Sequence, residues 1–69
     1  MKNLRLKSAR AALDMSQQQL ADAVGVSRQT INAIENNKYD PTLALAFHLA
    51  AELQVRVDEL FTPDSTPQA

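Results

Sequence analysis

Residues 16–35 read Ser-Gln-Gln-Gln-Leu-Ala-Asp-Ala-Val-Gly-Val-Ser-Arg-Gln-Thr-Ile-Asn-Ala-Ile-Glu. The Ser16 hydroxyl can cap the free amides at the start of a helix, and Gln19 can complete a capping box. Gly25 can end this helix, because glycine readily takes the left-handed conformation at which many helices stop. Since Ser27 can cap another helix almost at once, the stretch predicts two short helices joined by a tight turn.

An apolar seam fixes how these two helices cross. Ala21 is small where the first of them must lie close to the second. The larger seam residues are Leu20, Val24, Val26, Ile31 and Ile34. This arrangement is that of a helix-turn-helix, whose second helix can enter the major groove of DNA. Any tight two-helix corner can share the spacing, so the outer face of the second helix must discriminate.

That outer face carries no acidic and no large apolar residue. It consists of Arg28, Gln29, Thr30, Asn32 and Ala33. Arginine suits the O6 and N7 atoms of guanine, glutamine and asparagine suit adenine, and the methyl groups of threonine and alanine suit thymine. An ordinary solvated helix face would more typically mix Glu and Lys. The pattern therefore favours DNA recognition over a plain solvated surface.

The sequence on either side predicts three further helices and no strand. They are expected over about 4–13, 43–53 and 58–61, and Thr42 can cap the longest. Inward-facing residues are expected to be Leu6, Ala9, Arg10 and Leu13 in the first of these and Leu43, Ala46, Leu49, Ala50 and Leu53 in the second. No run alternates with period two, so the predicted fold is all-α. Residues 62–69 lack an apolar anchor and are expected to form a flexible C-terminal tail.

The composition limits the chain to one small domain without catalytic groups. Of its 69 residues, 45% are apolar and 22% are charged, as in globular proteins. It has no cysteine, and its one histidine, His48, is expected on the surface. Thiol nucleophiles, Cys-based zinc sites and Ser-His-Asp triads are therefore excluded or implausible. We expect no enzymatic activity, metal site, cofactor or small-molecule ligand.

No stretch approaches the roughly 20 apolar residues of a membrane span, and residues 1–5 lack the apolar run of a secretory signal. A cytoplasmic location is the resulting expectation, with association to the nucleoid when DNA is bound.

Charge is distributed unevenly along the chain. Residues 1–39 carry six basic and three acidic side chains, a net charge of +3, whereas residues 40–69 carry one basic and five acidic side chains, a net charge of −4. A basic first half suits a polyanionic partner. An ordinary mixed surface would also give these values, so charge alone does not decide between the two interpretations.

At these residues the chain resembles the Cro/C1-type (XRE) helix-turn-helix family, in particular its short stand-alone regulators. The matching pattern is Leu6-x-x-x-Arg10, Ser16-Gln17-x-x-Leu20-Ala21, Gly25-Val26-Ser27-Arg28-Gln29-Thr30-Ile31, Ile34-Glu35-x-x-Lys38, Pro41, Leu49-Ala50-x-x-Leu53 and Asp58-Glu59-Leu60-Phe61. The resemblance covers residues 4–61. It implies a compact, all-α, five-helix lambda-repressor-like DNA-binding domain with its helix-turn-helix at about 16–35.

The resemblance also implies roles for individual residues. Those expected to read bases are Arg28, Gln29, Asn32, Ala33, Ser27 and Thr30. Those expected to contact phosphate are Gln17, Gln18, Asn36, Asn37, Lys38 and Tyr39. Gln17 is also expected to brace the recognition helix, which is the second helix of the helix-turn-helix and the third of the domain. Arg10 and Glu35 match a structural pair that ties the first helix to the end of the third, and their inward-facing positions favour the same interpretation.

Two positions depart from the family pattern. Asn37 stands where relatives often have glycine, so the pattern requires Asn37 to adopt a left-handed conformation. Arg56 stands where relatives often have a Ser or Thr cap, which leaves the start of the last helix less well defined.

A second apolar surface is available for assembly. Leu45 and Phe47 widen the apolar stripe of the fourth helix, either as rim packing or as a dimer seam together with Val55, Val57 and Phe61. One recognition helix reads only a few base pairs. We therefore expect a homodimer on an inverted-repeat operator.

The predicted function is that of a sequence-specific, double-stranded-DNA-binding transcription regulator. Repression is favoured over activation, because occupying a promoter needs only affinity and position. One alternative is an antitoxin that acts through a protein partner, which co-purification would reveal. Another is an interaction module whose third helix no longer touches DNA, for which carboxylates on the outer face would be expected.

Overall fold

The computed structural model describes residues 2–3 and 5–62 of the chain. Along this range the elements are β1 (Lys2–Asn3), α1 (Leu6–Ala12), α2 (Gln17–Val24), α3 (Arg28–Glu35), α4 (Leu43–Leu53), α5 (Val57–Leu60) and β2 (Phe61–Thr62). The predicted all-α fold with five helices is confirmed, and a single two-residue strand pair accompanies it. No helix within the described range is long and apolar enough to cross a bilayer.

Hydroxyl caps begin the three central helices where the sequence predicts them. Ser16 accepts a hydrogen bond from the Gln19 amide at 3.0 Å, and its own amide donates to Gln19 Oε1 at 2.7 Å, which completes the capping box. Ser27 and Thr42 each accept from the amide three residues later, at 3.1 Å. These caps satisfy amides that have no partner within their own helix.

Four helices end with the same left-handed turn. The residues with positive φ are Asp14 (56°), Gly25 (79°), Asn37 (59°) and Gln54 (61°). In each case the amide of the next residue donates to a helical carbonyl five residues earlier, as Lys38 does to Ala33 at 2.8 Å. This is the main bond of a Schellman motif. Asn37 thus takes the left-handed conformation that the sequence requires of it.

The core is built around α4, which packs against α2 and α5. Its members are Leu6, Ala9, Leu20, Ala21, Ile31, Ile34, Ala46, Leu49, Ala50, Leu53, Leu60 and Phe61. Pro41, in the extended step before Thr42, is also buried. The seam between α2 and α3 therefore joins a continuous apolar interior.

Two leucines expected to face inward are instead exposed. Leu13 is 41% exposed because α1 ends at Ala12, before the predicted end at residue 13, and the chain then turns through Asp14. Leu43 is 63% exposed. It is the first residue of α4, and because side chains on a helix tilt toward its N-terminus, Leu43 points beyond the edge of the core.

The two ends of the domain meet in a strand pair that the sequence does not reveal. Asn3 pairs with Phe61 and Lys2 with Thr62 in antiparallel register. Thr62, predicted to be in the tail, is therefore part of β2, and residues 63–69 of that tail lie outside the described range. Each strand has only two residues, too few to produce a period-two pattern.

The first and last helices begin at different residues from those predicted. α1 begins at Leu6 rather than at residue 4, and residue 4 lies outside the described range. α5 runs over Val57–Leu60 rather than 58–61, because Phe61 leaves the helix in an extended conformation. The Arg56 amide donates to Glu59 Oε1 at 2.8 Å, so a side chain from within the helix caps its start in place of a Ser or Thr hydroxyl.

The left-handed turns predict opposite effects for two substitutions. Gln54→Gly should raise the free energy of unfolding by up to about 1 kcal/mol, because glycine removes the strain at positive φ. Gly25→Ala should lower it by about 1 kcal/mol, although no atom lies within 4 Å of the added Cβ. Urea unfolding of both variants measures the effect. A change of the same sign in both would contradict the strain argument.

Candidate nucleic-acid interface

The outer face of α3 presents polar side chains that are free to bind a ligand. Arg28, Gln29 and Asn32 are exposed, and Thr30 and Ala33 are half-buried at its margins. Within the described range, the side chains of Arg28 and Gln29 form no hydrogen bond with another residue. Because the ends of both side chains are solvated, each can form bidentate hydrogen bonds with the edge of a base.

Asn32 is oriented by a neighbour one turn later. Asn36 Nδ2 donates to the Asn32 carbonyl at 2.8 Å and to Asn32 Oδ1 at 3.3 Å. Asn32 Nδ2 is thereby directed away from Asn36, and no described residue accepts a hydrogen bond from it. The Asn36 side-chain amide is turned onto α3 in this structure, and its expected contact with phosphate stays a prediction.

The hydroxyls at the start of α3 are already engaged. Ser27 Oγ caps the Thr30 amide and lies 3.0 Å from Thr30 Oγ1. Both hydroxyl groups are therefore engaged at the N-terminus of α3. The methyl group of Thr30 is the part of that side chain left for an apolar contact. The expectation that Ser27 and Thr30 read bases stays a prediction.

The end of α3 is held by a buried carboxylate, Glu35. Arg10 Nε donates to Glu35 Oε2 at 2.7 Å, Arg10 Nη2 donates to Oε1 at 3.3 Å, and Gln17 Nε2 donates to Oε1 at 2.9 Å. The side chains of Arg10 and Glu35 are 13% and 3% exposed. Arg10 Nη1 also donates to the Met15 carbonyl at 2.7 Å. The three helices α1, α2 and α3 therefore share one polar junction.

The loop after α3 carries the remaining residues expected to contact phosphate. Asn37, Lys38 and Tyr39 are all exposed, Tyr39 by 48%. No carboxylate of the described residues forms an ion pair with Lys38. Its ammonium group is therefore available to an anion.

The start of α2 places two glutamines differently. The Gln17 side chain is committed to Glu35, which leaves its backbone amide in the first turn of α2. Gln18 is exposed, and its Nε2 donates to Asp22 Oδ1 at 2.9 Å along the same helix. Free amides in a first helical turn favour an anion such as phosphate. The phosphate role of both residues stays a prediction.

Asn3 is a residue of this region that sequence reasoning missed. The side-chain Oδ1 of Asn3 accepts from the Leu6 amide at 2.7 Å, and its Nδ2 donates to the Glu35 carbonyl at 3.0 Å. The backbone amide of Asn3 donates to Asn37 Oδ1 at 3.0 Å. An asparagine directly before a helix expected to begin at residue 4 is a capping signal. α1 instead begins at Leu6, its N-cap Arg5 makes no side-chain cap, and Asn3 reaches the first helical amide from two residues ahead of Arg5.

The residues expected to form a dimer seam are not equally accessible. Phe47 is 53% exposed, whereas Leu45, Val55 and Val57 are half-buried and pack against the core. Phe61 is only 4% exposed, because its strand places it in the core of its own domain. Phe61 is therefore corrected from a seam residue to a core residue.

A shallow cavity lies between α2 and α4, away from the outer face of α3. Its volume is about 530 Å³, and it is lined by Asp22, Ala23, Val24, Gly25, His48, Ala51 and Glu52. His48 is exposed at this cavity, as expected of a surface residue. No group of three His, Asp or Glu side chains in the described range is arranged to hold a metal ion.

Comparison with protein families and curated proteins gives one consistent result. A family model described as "Helix-turn-helix" matches residues 6–60. An uncharacterized HTH-type transcriptional regulator of Methanocaldococcus jannaschii is 51% identical over 61 residues, covering 88% of this chain and 91% of that protein. The Bacillus subtilis regulator YgzD is 39% identical over 61 residues, with the same coverage. These names describe regulators rather than enzymes.

Solved structures show the same architecture. The restriction-modification controller protein C.AhdI from Aeromonas hydrophila superimposes with a TM-score of 0.77 at 32% identity, covering 83% of this chain and 86% of that one. SinR, a master regulator for biofilm formation solved in complex with DNA, gives 0.73 at 29% identity, covering 78% of this chain and 87% of that one.

The buried junction predicts a large stability cost for Arg10→Met. The substitution leaves the Glu35 carboxylate buried without its counter-charge, which should lower the free energy of unfolding by about 3 kcal/mol. Thermal melting followed by circular dichroism measures this loss.

Arg56→Met is the matched control. Arg56 pairs with Asp58 at 3.0 Å, but their side chains are 78% and 66% exposed, so we expect a nearly unchanged melting temperature. The hydrogen bond from Arg56 holds the pKa of Asp58 below its ordinary value. Any stability from this pair is therefore present above the ordinary aspartate pKa and is lost as the pH falls through the lowered one. Equal losses in the two variants would contradict the distinction between the pairs.

Proposed function

This chain belongs to the XRE-type helix-turn-helix family of DNA-binding transcription regulators, and we propose that it represses transcription by binding an operator as a homodimer. In this proposal α3 lies in the major groove. The observation that carries it is the outer face of α3, where Arg28, Gln29 and Asn32 are exposed and no carboxylate is present.

Sequence preference would come from three side chains of α3. Arg28 can donate to guanine O6 and N7, while Gln29 and Asn32 can pair with adenine N6 and N7. The Asn36–Asn32 hydrogen bond supports a base-reading role for Asn32, because an amide with one preferred orientation loses less rotational freedom on binding. Ala33 would contact a thymine methyl group at the margin.

Affinity would come mainly from contacts to phosphate on both sides of α3. At one end are the first-turn amides of α2 at Gln17 and Gln18, and at the other are Lys38 and the neighbouring exposed residues Asn37 and Tyr39. Contacts to phosphate carry no sequence information but fix the position of the protein on the duplex. Such binding weakens as salt rises, because binding releases condensed cations from the DNA and this release gains less entropy at a higher salt concentration.

A homodimer would double the length of the recognised site. The eight residues of α3 reach only a few base pairs, which is too little information to specify one site in a genome. A two-fold axis would place the two copies of α3 about 34 Å apart, in successive major grooves of an inverted repeat. We place the seam around Phe47, with Leu45, Val55 and Val57 as flanking residues. In a cell the protein would act in the cytoplasm, at the nucleoid.

DNA binding by variants of α3 and of the following loop tests the two kinds of contact. With an operator selected from random duplexes, Arg28→Ala or Gln29→Ala should cost about 1–3 kcal/mol per half-site and relax preference at one symmetric base pair. Lys38→Ala should weaken binding equally to operator and random DNA. It should also reduce the salt slope, which is the slope of the log binding constant against the log salt concentration, by about 1 in magnitude. Fluorescence anisotropy across a salt series measures both quantities. An Arg28→Ala protein that keeps the base preference of the wild type would contradict the placement of α3.

Assembly is tested by adding a charge at the exposed seam. Phe47→Glu should give a folded monomer that binds single half-sites weakly and loses its preference for half-site spacing. Leu13→Glu is the control, because Leu13 is also a large, exposed apolar residue but lies outside the proposed seam. Light scattering at micromolar concentration, with and without DNA, separates the two. A monomeric wild type under both conditions would disprove the dimer.

A further inference from the structure

Asn3 joins three parts of the domain that are far apart in sequence. Its side chain caps α1 at Leu6 and donates to the carbonyl of Glu35, and its amide donates to the side chain of Asn37. The two bonds to the end of α3 and its loop span 32 and 34 residues of chain. We define these two bonds as the Asn3 clamp.

The first clamp bond satisfies a carbonyl that a helix leaves without a partner. Glu35 is the last residue of α3, and the last four carbonyls of a helix have no amide ahead of them. Asn3 Nδ2 supplies the missing donor to Glu35. Since Arg10 and Gln17 hold the side chain of the same residue, the end of α3 is fixed through both its main chain and its side chain.

The second clamp bond holds the left-handed residue that directs the loop. Asn37 has φ of 59°, a left-handed conformation that glycine adopts freely and asparagine more readily than most other residues. The bond from the Asn3 amide to Asn37 Oδ1 restrains this side chain and helps to maintain the turn. Lys38 follows directly, and its own amide closes the turn on the Ala33 carbonyl at 2.8 Å.

Asn3 is itself placed by the core. It pairs with Phe61 in the strand pair, and Phe61 is 4% exposed. The positions of the clamp donors are therefore set by packing at the far end of the chain. By contrast, the turn that ends α2 at Gly25 receives no side-chain donor from any described residue.

We propose that Asn3 is a positioning residue for DNA binding, which holds the loop after α3 so that Lys38 meets the phosphate backbone. This inference rests on the proposed function, because it assumes that Lys38 contacts phosphate. Asn3 need not touch DNA. It lowers the loss of conformational freedom that the loop would otherwise undergo when DNA binds.

Asn3→Ser is the variant that removes the first clamp bond, whereas the second comes from the backbone amide of residue 3 and remains. The serine hydroxyl can still accept from the Leu6 amide, but it is too short to reach the Glu35 carbonyl. Asn3→Asp is the second variant, because it keeps the acceptor for Leu6 and lacks the Nδ2 donor. Both variants therefore retain a cap for α1.

Amide hydrogen exchange at Lys38 measures the effect of the clamp in the absence of DNA. In Asn3→Ser and Asn3→Asp the amide of Lys38 should exchange about fivefold faster, which corresponds to the loss of one net hydrogen bond. The Val26 amide makes the equivalent bond at the end of α2 and should be unchanged. Unchanged exchange at Lys38 would overturn the inference, and so would equal acceleration at both sites, which is a general loss of stability.

Salt-dependent binding then links the clamp to DNA. We expect Asn3→Ser to lower the salt slope by up to about 1, and Lys38→Ala to have a smaller effect in the Asn3→Ser background than in the wild type. If Lys38→Ala lowers the slope but the two substitutions are additive, the positioning role of Asn3 is wrong and the proposed function stands. If Lys38→Ala leaves the slope unchanged, the phosphate contact is wrong, and this inference fails with it.

Discussion

A carboxylate buried at the end of α3 must be paired with a donor, and the position of α3 depends on how this is done. Glu35 is 3% exposed and receives hydrogen bonds from Arg10 and Gln17. An isolated charge at this depth would cost several kcal/mol, so α3 is stable only where both donors can reach it. The requirement brings α1, α2 and α3 to one point. The outer face of α3 is oriented as a consequence.

The same constraint separates the residues that hold the structure from those that can bind. The side chains of Arg10 and Gln17 donate to Glu35 within the protein, whereas Arg28, Gln29 and Lys38 are exposed and have no partner among the described residues. A binding surface benefits from this division, because a side chain already committed to the fold would have to break a bond before it could contact DNA. Ser27, Thr30 and Asn36 illustrate the intermediate case, since each is engaged within α3 or its cap.

Predictions from the sequence succeeded where the responsible interactions are local. The caps at Ser16, Ser27 and Thr42 and the turn at Gly25 involve residues within a few positions of one another, and all were found as predicted. Periodicity failed at the ends of helices. The apolar pattern includes Leu13 although the backbone has already left the helix there. It also includes Leu43, whose side chain lies beyond the edge of the core.

The sequence by itself determined the five helices, the tight turn between α2 and α3, and the chemistry of the outer face, because each depends on neighbouring residues. Only the tertiary structure decided that Phe61 belongs to the core and that Asn3 reaches Glu35 and Asn37. The physical reason is the length of the strand pair. Two residues on each side give no periodic signal, and the bonds they position cross more than thirty residues of chain. Contacts of that kind exist only after the helices have packed.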